Sequence, residues 1–273
     1  MRKPPYLPFL DGPASTAPRL RPISPQNWLV PDTEADVWLS QKRHLLKERR
    51  AEVTAFTSGF QPAINEAAHH VLSALGETGL SADNLLVSVS ESVSDDLCVM
   101  AESEEAFRLV AATLCAPTFW SLKEMMGQPL GGLHHHVPEG DPDLASRISR
   151  VFQGLMPGKI LERFNWTVQL GEERFTPSSA PMKARLKDLS AAEAARELHL
   201  RVERQTLQKL PVSGALLFTI RVCVDPLVFV LDVTEWREAF FENWAGTDDR
   251  LAAYKGRPHY EPAICWLKAR YSG

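Results

Sequence analysis

Residues 198–224 read LHLRVERQTLQKLPVSGALLFTIRVCV, and this stretch decides the fold class. Apolar and polar residues alternate from Leu198 onward, which is the period of two expected for a half-buried strand. Residues 211–214 (PVSG) form a turn sequence, and residues 215–224 form a second β-prone run. Two long strands joined by a short turn predict an antiparallel hairpin rather than a βαβ unit.

The first strand of this hairpin places a charged residue on its apolar face. By the alternation, Arg204 and Thr206 point to the same side as Leu198, Leu200 and Val202. A buried guanidinium is costly unless it is paired. Arg204 is therefore interpreted either as the partner of a core carboxylate or as a fixed cation that points at a ligand carboxylate or a bound oxygen species. The opposite face is interpreted as a structural polar network, which comprises Arg201, Glu203 and Gln205.

A third strand is predicted over residues 160–170, which show the same alternation. Phe164 and Trp166 share its core face, whereas Arg163 and Asn165 lie on the other side. An aromatic pair on a core face is most often part of the core, and it equally suits the wall of a flat hydrophobic cofactor.

Helical patterns surround these strands. Residues 1–33 contain eight of the 20 prolines and predict an extended arm. From Asp36 onward, heptad spacing predicts an amphipathic helix. Its intervening basic residues are expected on a solvated face; they are Lys42, Arg43, Lys47, Arg49 and Arg50. Another helix is predicted from Ile64 to Gly76.

The remaining segments complete an α+β pattern. Residues 85–89 are β-prone, and the runs at 96–100 and 108–115 are ambiguous between helix and strand. A helix starting at Asp141, a capping box at Ser190 and Glu193, and a tail helix with Trp236, Phe240 and Trp244 are also predicted. The order of helices, strands, a helical insertion and antiparallel strands is typical of an α+β fold.

Composition excludes several classes of partner. The chain has 273 residues with 30 basic and 34 acidic side chains, so neither nucleic acid nor an anionic membrane is expected as a partner. No apolar run approaches the roughly 18 residues of a membrane span. Prolines interrupt the N-terminal segment where a secretory signal would need an apolar core. The cysteines at 98, 115, 223 and 265 lie far apart, which disfavours a disulfide framework and predicts a cytoplasmic location.

Three consecutive histidines, His134 to His136, follow a glycine-rich turn. Their side chains diverge in any regular element, so the three cannot all ligate one metal. A polar loop, chelation of zinc or copper by His134 and His136, and one axial ligand to a haem all stay open. The chain lacks a nucleophile elbow, a dinucleotide-binding glycine motif and a P-loop. Asp95 and Asp96 are interpreted as part of a solvated loop.

Several segments together resemble one family. Residues 200–211 (LRVERQTLQKLP), followed by 214–220 (GALLFTI), resemble the signature of the haem-dependent oxidative N-demethylase family, alpha subunit. Residues 163–166 resemble its R-x-N-W, and residues 120–138 (WSLKEMMGQPLGGLHHHVP) resemble its W-x-x-x-x-K-x-G-x-x-L-x-x-I-H-x-P-V-P segment, with Met125 or Met126 in place of the lysine. Residues 95–98 (DDLC) resemble its E-D-L-C, and Leu20-Arg21-Pro22 with Trp28 and Asp32 resembles its N-terminal block.

The resemblance implies a PAS-like fold, in which a five-stranded antiparallel sheet has helices inserted between its second and third strands and holds haem b against them. The runs at 96–100 and 108–115 would then be strands. The resemblance then divides the chain into three parts. They are an N-terminal arm with helices (1–80), a PAS-like haem-binding core (81–229) and a C-terminal helical tail packed on the core (230–273). His134 is implied as the axial ligand of the haem iron, with His135 and His136 as incidental neighbours.

The resemblance also implies oxidative N-demethylation of a small secondary amine such as dimethylamine. The reaction would use O2 and external electrons and release formaldehyde. A separate reductase subunit that carries flavin or an iron–sulfur cluster is expected, because this chain has no motif for either. Arg204 would polarise bound oxygen, and Phe164, Trp166 and Thr206 would line the cofactor. A haem-binding gas or redox sensor without turnover is the alternative function.

Overall fold

The structure, a computed structural model, describes residues 3–17, 19–78, 84–103, 106–128 and 144–271, with the backbone alone for 144–147. Within these ranges, seven strands form one antiparallel sheet in the order β1-β5-β6-β7-β3-β4-β2. The strands are β1 (Arg21–Ile23), β2 (Thr54–Phe56), β3 (Asp96–Ser103), β4 (Ala106–Thr113), β5 (Ile160–Leu170), β6 (Leu198–Lys209) and β7 (Leu216–Pro226).

Helices cover both faces of this sheet. In the described ranges they are α1 (Ala35–Glu48), α2 (Arg50–Val53), α3 (Gln61–Leu75), α4 (Leu85–Ser90), α5 (Leu122–Met125), α6 (Leu144–Gly154), α7 (Ala180–Asp188), α8 (Ala191–Glu197), α9 (Val228–Leu231), α10 (Thr234–Ala245), α11 (Asp249–Tyr254) and α12 (Glu261–Tyr271). Short 3-10 turns lie at Pro8–Asp11, Pro25–Asn27 and Arg257–His259. None of these helices combines the length and the hydropathy that crossing a membrane requires.

The α+β class is confirmed, and the hairpin at 198–224 forms the centre of the sheet. β6 pairs with β5 over its first eleven residues, from Leu198↔Leu170 to Gln208↔Ile160. It pairs with β7 from His199↔Pro226 to Lys209↔Leu216. The segments at 96–100 and 108–115, which the sequence left ambiguous between helix and strand, lie in β3 and at β4. The capping box at Ser190 is present, because Ser190 and Glu193 each accept a hydrogen bond from the other's backbone N–H.

The β-prone segment at 85–89 is helical, so that expectation is wrong. The Asn84 side chain accepts a hydrogen bond from the backbone N–H of Val87 at 3.3 Å and caps α4. Leu85, Leu86 and Val89 are buried against α3 in one apolar cluster. A five-residue apolar run has no period that separates strand from helix, so packing and the cap decide its conformation.

The five central strands lie side by side in the order β5-β6-β7-β3-β4. Counted along the chain from β3, this is the order third, fourth, fifth, first, second. α5 and α6 are inserted between the second and the third of them. The N-terminal segment adds an edge strand at each side, since β1 pairs with β5 and β2 pairs with β4. Residues 1–80 therefore contribute to the same sheet as the core.

The two faces of the sheet have different covers. The inner face carries Leu161, Glu203 and Leu207, and α1, α5 and α6 pack on it. The outer face carries Trp166, Val202 and Arg204. The C-terminal helices with α8 cover one end of the outer face, and α3 with α4 covers the other.

Three charged residues expected in solvent are buried instead. Lys42 has no exposed surface, and its Nζ donates to the carbonyl oxygens of Val93 (3.0 Å) and Asp95 (2.6 Å). Asp96 accepts the backbone N–H groups of residues 115 and 116, at 2.9 and 2.7 Å. Asp95 receives two hydrogen bonds from Arg221. These predictions were wrong because the partners are distant in sequence, and pairing of this kind is what makes a buried charge tolerable.

Candidate functional site

Arg204 lies on the outer face, with 3% of its surface exposed. Its Nε donates to Glu162 Oε1 at 2.6 Å, and Nη1 donates to the Trp28 carbonyl at 2.7 Å. Nη2 donates to the carbonyl of Asn27. These are the contacts of an ion pair with a core carboxylate, which was one of the two interpretations of this residue. Its expected role toward bound oxygen stays a prediction.

The other expected cofactor residues also lie on the outer face. Thr206 Oγ1 accepts a hydrogen bond from Trp28 Nε1 (3.0 Å) and shares another with Thr219 Oγ1 (2.7 Å). Trp166 packs between Phe9 and Phe240, with ring centroids 6.0 Å away in each case. Phe164 contacts the ring of Tyr6 at 5.2 Å and lies under the guanidinium of Arg21. The structure thus brings these residues to the same face as Arg204, under the N-terminal arm and the C-terminal helices.

His134, the expected iron ligand, lies outside the described residues, as do His135 and His136. The described chain on either side of them is attached to the inner-face core. Before them, the Gly127 backbone N–H donates to the carbonyl of Leu109 on β4 at 2.9 Å. After them, α6 buries Ile148 and Phe152 in that core. No group of three or more His, Cys, Asp or Glu side chains that could hold a metal ion is present in the described part of the chain.

Polar side chains of β5 and β6 meet on the inner face. The strand register sets Asn165 opposite Glu203 and Arg163 opposite Gln205. Glu203 is 6% exposed, and its Oε2 accepts from Asn165 Nδ2 at 3.0 Å and from Gln205 Nε2 at 2.8 Å. Within the described ranges, Glu203 Oε1 receives no hydrogen bond. This carboxylate therefore keeps one oxygen that can accept from a ligand.

Two cations lie near this carboxylate. Arg163 Nε is buried and has no hydrogen-bond partner among the described residues. Burial lowers the pKa of Arg163, and the Glu203 charge opposes that shift. Lys255, which follows α11, donates from Nζ to Asn165 Oδ1 at 2.6 Å and to the Trp166 carbonyl at 3.2 Å. Burial lowers the pKa of Lys255 to about 8. The cluster is thus a half-buried group of mixed charge.

Arg201, on the same face, has a different environment. It is 1% exposed, and all three of its guanidinium nitrogens donate to protein oxygens. The acceptors include Thr118 Oγ1 (2.8 Å) and Gln169 Oε1 (2.9 Å). Arg201 ties β6 to the loops at 116–118 and 173–174. The interpretation of a structural network suits Arg201, whereas Glu203 has an acceptor to spare.

Apolar side chains on the same side of the sheet are incompletely covered by the described residues. Five of them are partly exposed at the edge of the inner-face core, namely Trp120, Met126, Val151, Leu161 and Phe218. An open cavity of about 360 Å³ lies between α6 and β5 and is lined by Val151, Leu155 and Leu161, with Arg150 and Lys159 also in its wall. Such a surface suits an apolar ligand that carries acidic groups.

Sequence reasoning gave this inner face too little weight. The alternation correctly put Arg163, Asn165, Glu203 and Gln205 on one side of the sheet. The position of the helical insertion could have indicated the candidate site. The described part of the insertion packs on the inner face and covers it incompletely, and ligands bind where the cover of a sheet is incomplete.

The comparison with known proteins points to one family. The sequence matches the family model of haem-dependent oxidative N-demethylase, alpha subunit-like, over residues 73–265. This match spans more than two thirds of the chain and includes β3 to β7, both inserted helices and the polar cluster on the inner face. The chain therefore belongs to the haem-dependent oxidative N-demethylase, alpha subunit-like, family.

Proposed function

We propose that this chain is the haem-binding, substrate-oxidising subunit of an oxidative N-demethylase that acts on a small secondary amine such as dimethylamine. The observation that carries the proposal is the family match over residues 73–265, the segment that contains β3 to β7 and both inserted helices. The fold that accompanies it is PAS-like. Its support is the order of the central five strands, with a helical insertion between the second and the third.

The described residues of the inner face fit haem b in two respects. The macrocycle is flat and apolar, and the partly exposed side chains of Val151, Leu161 and Phe218 offer apolar surface on this face. Its two carboxylates need cations, and Arg150, Lys159 and Arg163 lie on or beside the same face. The outer face fits less well, since Arg204 and Thr206 are already hydrogen-bonded there.

We propose His134 as the protein ligand of the haem iron. Its support is the sequence resemblance around residues 120–138 and the attachment of the chain on both sides to the inner-face core. One neutral imidazole nitrogen is all that an axial position requires. His135 and His136 serve as matched controls, because they differ from His134 only in position.

Bound haem would supply the redox chemistry, which converts one N-methyl group to formaldehyde. For dimethylamine, the balance is one amine, one O2, two electrons and two protons giving methylamine, formaldehyde and water. The C–N bond of the oxidised methyl group breaks, and O2 is reduced. The two electrons must come from a partner protein, and the alpha-subunit name of the family supports a complex that contains a reductase with flavin or an iron–sulfur cluster.

The chain's own residues would bind and orient the amine. A secondary ammonium has two N–H groups and one positive charge, and Glu203 Oε1 is an acceptor without a partner in the described structure. Asn165 and Gln205 hold the carboxylate through Oε2 and fix its orientation. The neighbouring apolar surface would exclude water and larger substrates.

An absorption spectrum of the full chain reconstituted with haem b, recorded before and after reduction with dithionite, tests the cofactor. We expect a haem spectrum that changes on reduction and that is altered by His134→Ala but not by His135→Ala or His136→Ala. A chain that takes up no haem contradicts the proposal, and an unaltered spectrum in His134→Ala contradicts the ligand assignment.

Formaldehyde release from dimethylamine, with O2 and an electron donor, tests the reaction. Glu203→Gln should raise KM for the amine by about tenfold or more, because a charge-assisted hydrogen bond is lost. Glu172→Gln, at an exposed position, is the matched control and should change nothing. If no small amine yields formaldehyde while haem binding is intact, the sensor function replaces the enzyme function.

A further inference from the structure

A second cavity lies at the edge of β5, beyond the three residues that pair with β1. It has a volume of about 70 Å³ and lies between the N-terminal arm and residues 163–166. One buried water needs roughly 15 Å³ of cavity volume, so this cavity has room for about five water-sized groups. Its charged lining consists of Arg19, Arg21 and Arg163 against Asp11 alone. The wall therefore carries an excess of positive charge.

The three arginines differ in what they contact. Arg21 is neutralised, since its Nε donates to Glu162 Oε2 at 2.8 Å and its guanidinium lies over the Phe164 ring. Arg163 Nε is buried without a hydrogen-bond partner in the described ranges. Arg19 Nη1 donates to the Pro13 carbonyl at a long 3.3 Å. Arg163 thus has a buried donor without an acceptor among the described residues, whereas Arg19 is exposed and can turn its remaining donors toward the cavity.

The unused donors of Arg19 and Arg163 lie within electrostatic reach of each other. Burial lowers the pKa of Arg163, the nearby Glu203 charge opposes this shift, and the charge of Arg19 adds to it. Buried donors without acceptors are uncommon in folded proteins. The buried Arg163 Nε is such a donor, and the exposed Arg19 guanidinium lines the same cavity, so an anion between them would satisfy Nε and meet a second positive charge. The planar fork of arginine suits a carboxylate or a phosphate.

We propose that Arg163 and Arg19 bind an anionic oxygen group, a carboxylate or a phosphate, in this cavity. The group has two chemical sources. One is a carboxylate side chain of bound haem, and this source rests on the proposed function. The other is a small free anion, for which the cavity is large enough on its own.

Calorimetric titration of the haem-free full chain with inorganic phosphate, and separately with acetate, tests a free anion. Arg163→Gln should weaken any such binding by about tenfold or more, the loss of a charge-assisted hydrogen bond, and Arg163→Lys should weaken it less. Arg250→Gln, at an exposed position on α11, is the matched control. Thermal unfolding of each variant verifies that it is folded.

The rate of haem release to excess apomyoglobin tests the cofactor carboxylate. Arg163→Gln should accelerate release by about tenfold or more, while Arg250→Gln should leave it unchanged. Faster release with no anion binding assigns the site to the cofactor, and anion binding with unchanged release assigns it to a free ligand. If folded Arg163→Gln equals wild type in both assays, the proposal is overturned. A chain that binds phosphate but no haem refutes the proposed function and leaves the anion site standing.

Discussion

At the scale of single residues, Arg204 shows how a buried cation is held by protein oxygens. Replacement by Met keeps the aliphatic bulk and removes the contacts to Glu162 and to the carbonyls of Asn27 and Trp28. Breaking a buried pair typically costs 3–5 kcal/mol. We expect about 3 kcal/mol, since Glu162 keeps its ion pair with Arg21. Urea denaturation of Arg204→Met measures this loss.

The matched control for Arg204 is an exposed pair. Arg185 and Glu197 form an ion pair in which the arginine side chain is 51% exposed. Arg185→Met should lower the free energy of unfolding by about 1 kcal/mol or less, because solvent screens the pair. A folded Arg204→Met protein with wild-type stability but lost turnover would refute the structural role and favour the role toward bound oxygen.

Lys255 gives the stability of the fold a dependence on pH. Burial lowers its pKa to about 8, against 10.5 for the free side chain. Between these values the unfolded chain keeps a proton that the folded chain has released, so the free energy of unfolding rises with pH. Lys255→Met lacks this contribution. The stability of wild type relative to the variant should therefore increase from pH 8 to pH 10.5, as measured by urea titrations. A constant difference across this range would mean that the amine is not desolvated.

Alternation along a strand predicted the burial of Arg204 but not its partners, and sequence patterns elsewhere did not predict the burial of Lys42, Asp95 or Asp96. The period of two placed Arg204 inside the protein correctly. It could not choose between a protein carboxylate and a ligand, because Glu162 lies on another strand and the register of β5 against β6 creates the contact. Glu203 illustrates the same limit, since periodicity sorts residues into two faces without stating which face the helices leave partly open.

At the scale of elements, the N-terminal arm is part of the core although its sequence shows no periodic pattern. Trp28 is 3% exposed, stacks near His70 at 5.2 Å between ring centroids, and donates to Thr206. The Val30 carbonyl of the arm also accepts a hydrogen bond from Arg221 Nη1. These contacts cover the middle of the outer face, between the end covered by the C-terminal helices with α8 and the end covered by α3 and α4.

This closure predicts a large effect of one arm residue. Trp28→Ala leaves a cavity and removes the donor to Thr206, so we expect a loss of about 3–5 kcal/mol in the free energy of unfolding. Val37→Ala, at a position 65% exposed, should change stability by about 0.5 kcal/mol or less. Thermal or urea unfolding measures both variants. An arm that only lies on the surface would make the two losses equal.

Elements with a strong local signal were predicted, and elements that depend on packing were not. β5, β6 and β7 follow from alternation and turn residues, and α8 follows from its capping box. α4 was misassigned because a short apolar run suits either conformation. The edge strands β1 and β2 have three residues each and are stabilised by pairing with β5 and β4. Strands this short have no local sequence pattern that predicts them.

At the scale of the whole molecule, the two faces of the one sheet differ in their cover and in their polar contacts. The outer face is covered by the arm and the C-terminal helices and contains the buried ion pairs of Arg204 and Arg221. The inner face combines an apolar core, an edge of partly exposed apolar side chains, and the Glu203 carboxylate, whose Oε1 has no hydrogen-bond partner among the described residues.

The four cysteines report on the integrity of this whole arrangement. Cys98, Cys115 and Cys223 are buried in or beside the sheet, and burial raises the pKa of each thiol, to about 12 for Cys115 and Cys223. Cys265 on α12 is exposed. Because the thiolate is the reactive form, the native protein should react with one equivalent of an aromatic disulfide reagent quickly and with three more only as it unfolds. Cys265→Ser should abolish the fast phase. A second fast thiol in native wild type would show that the sheet opens locally and exposes a cysteine that is buried in the structure.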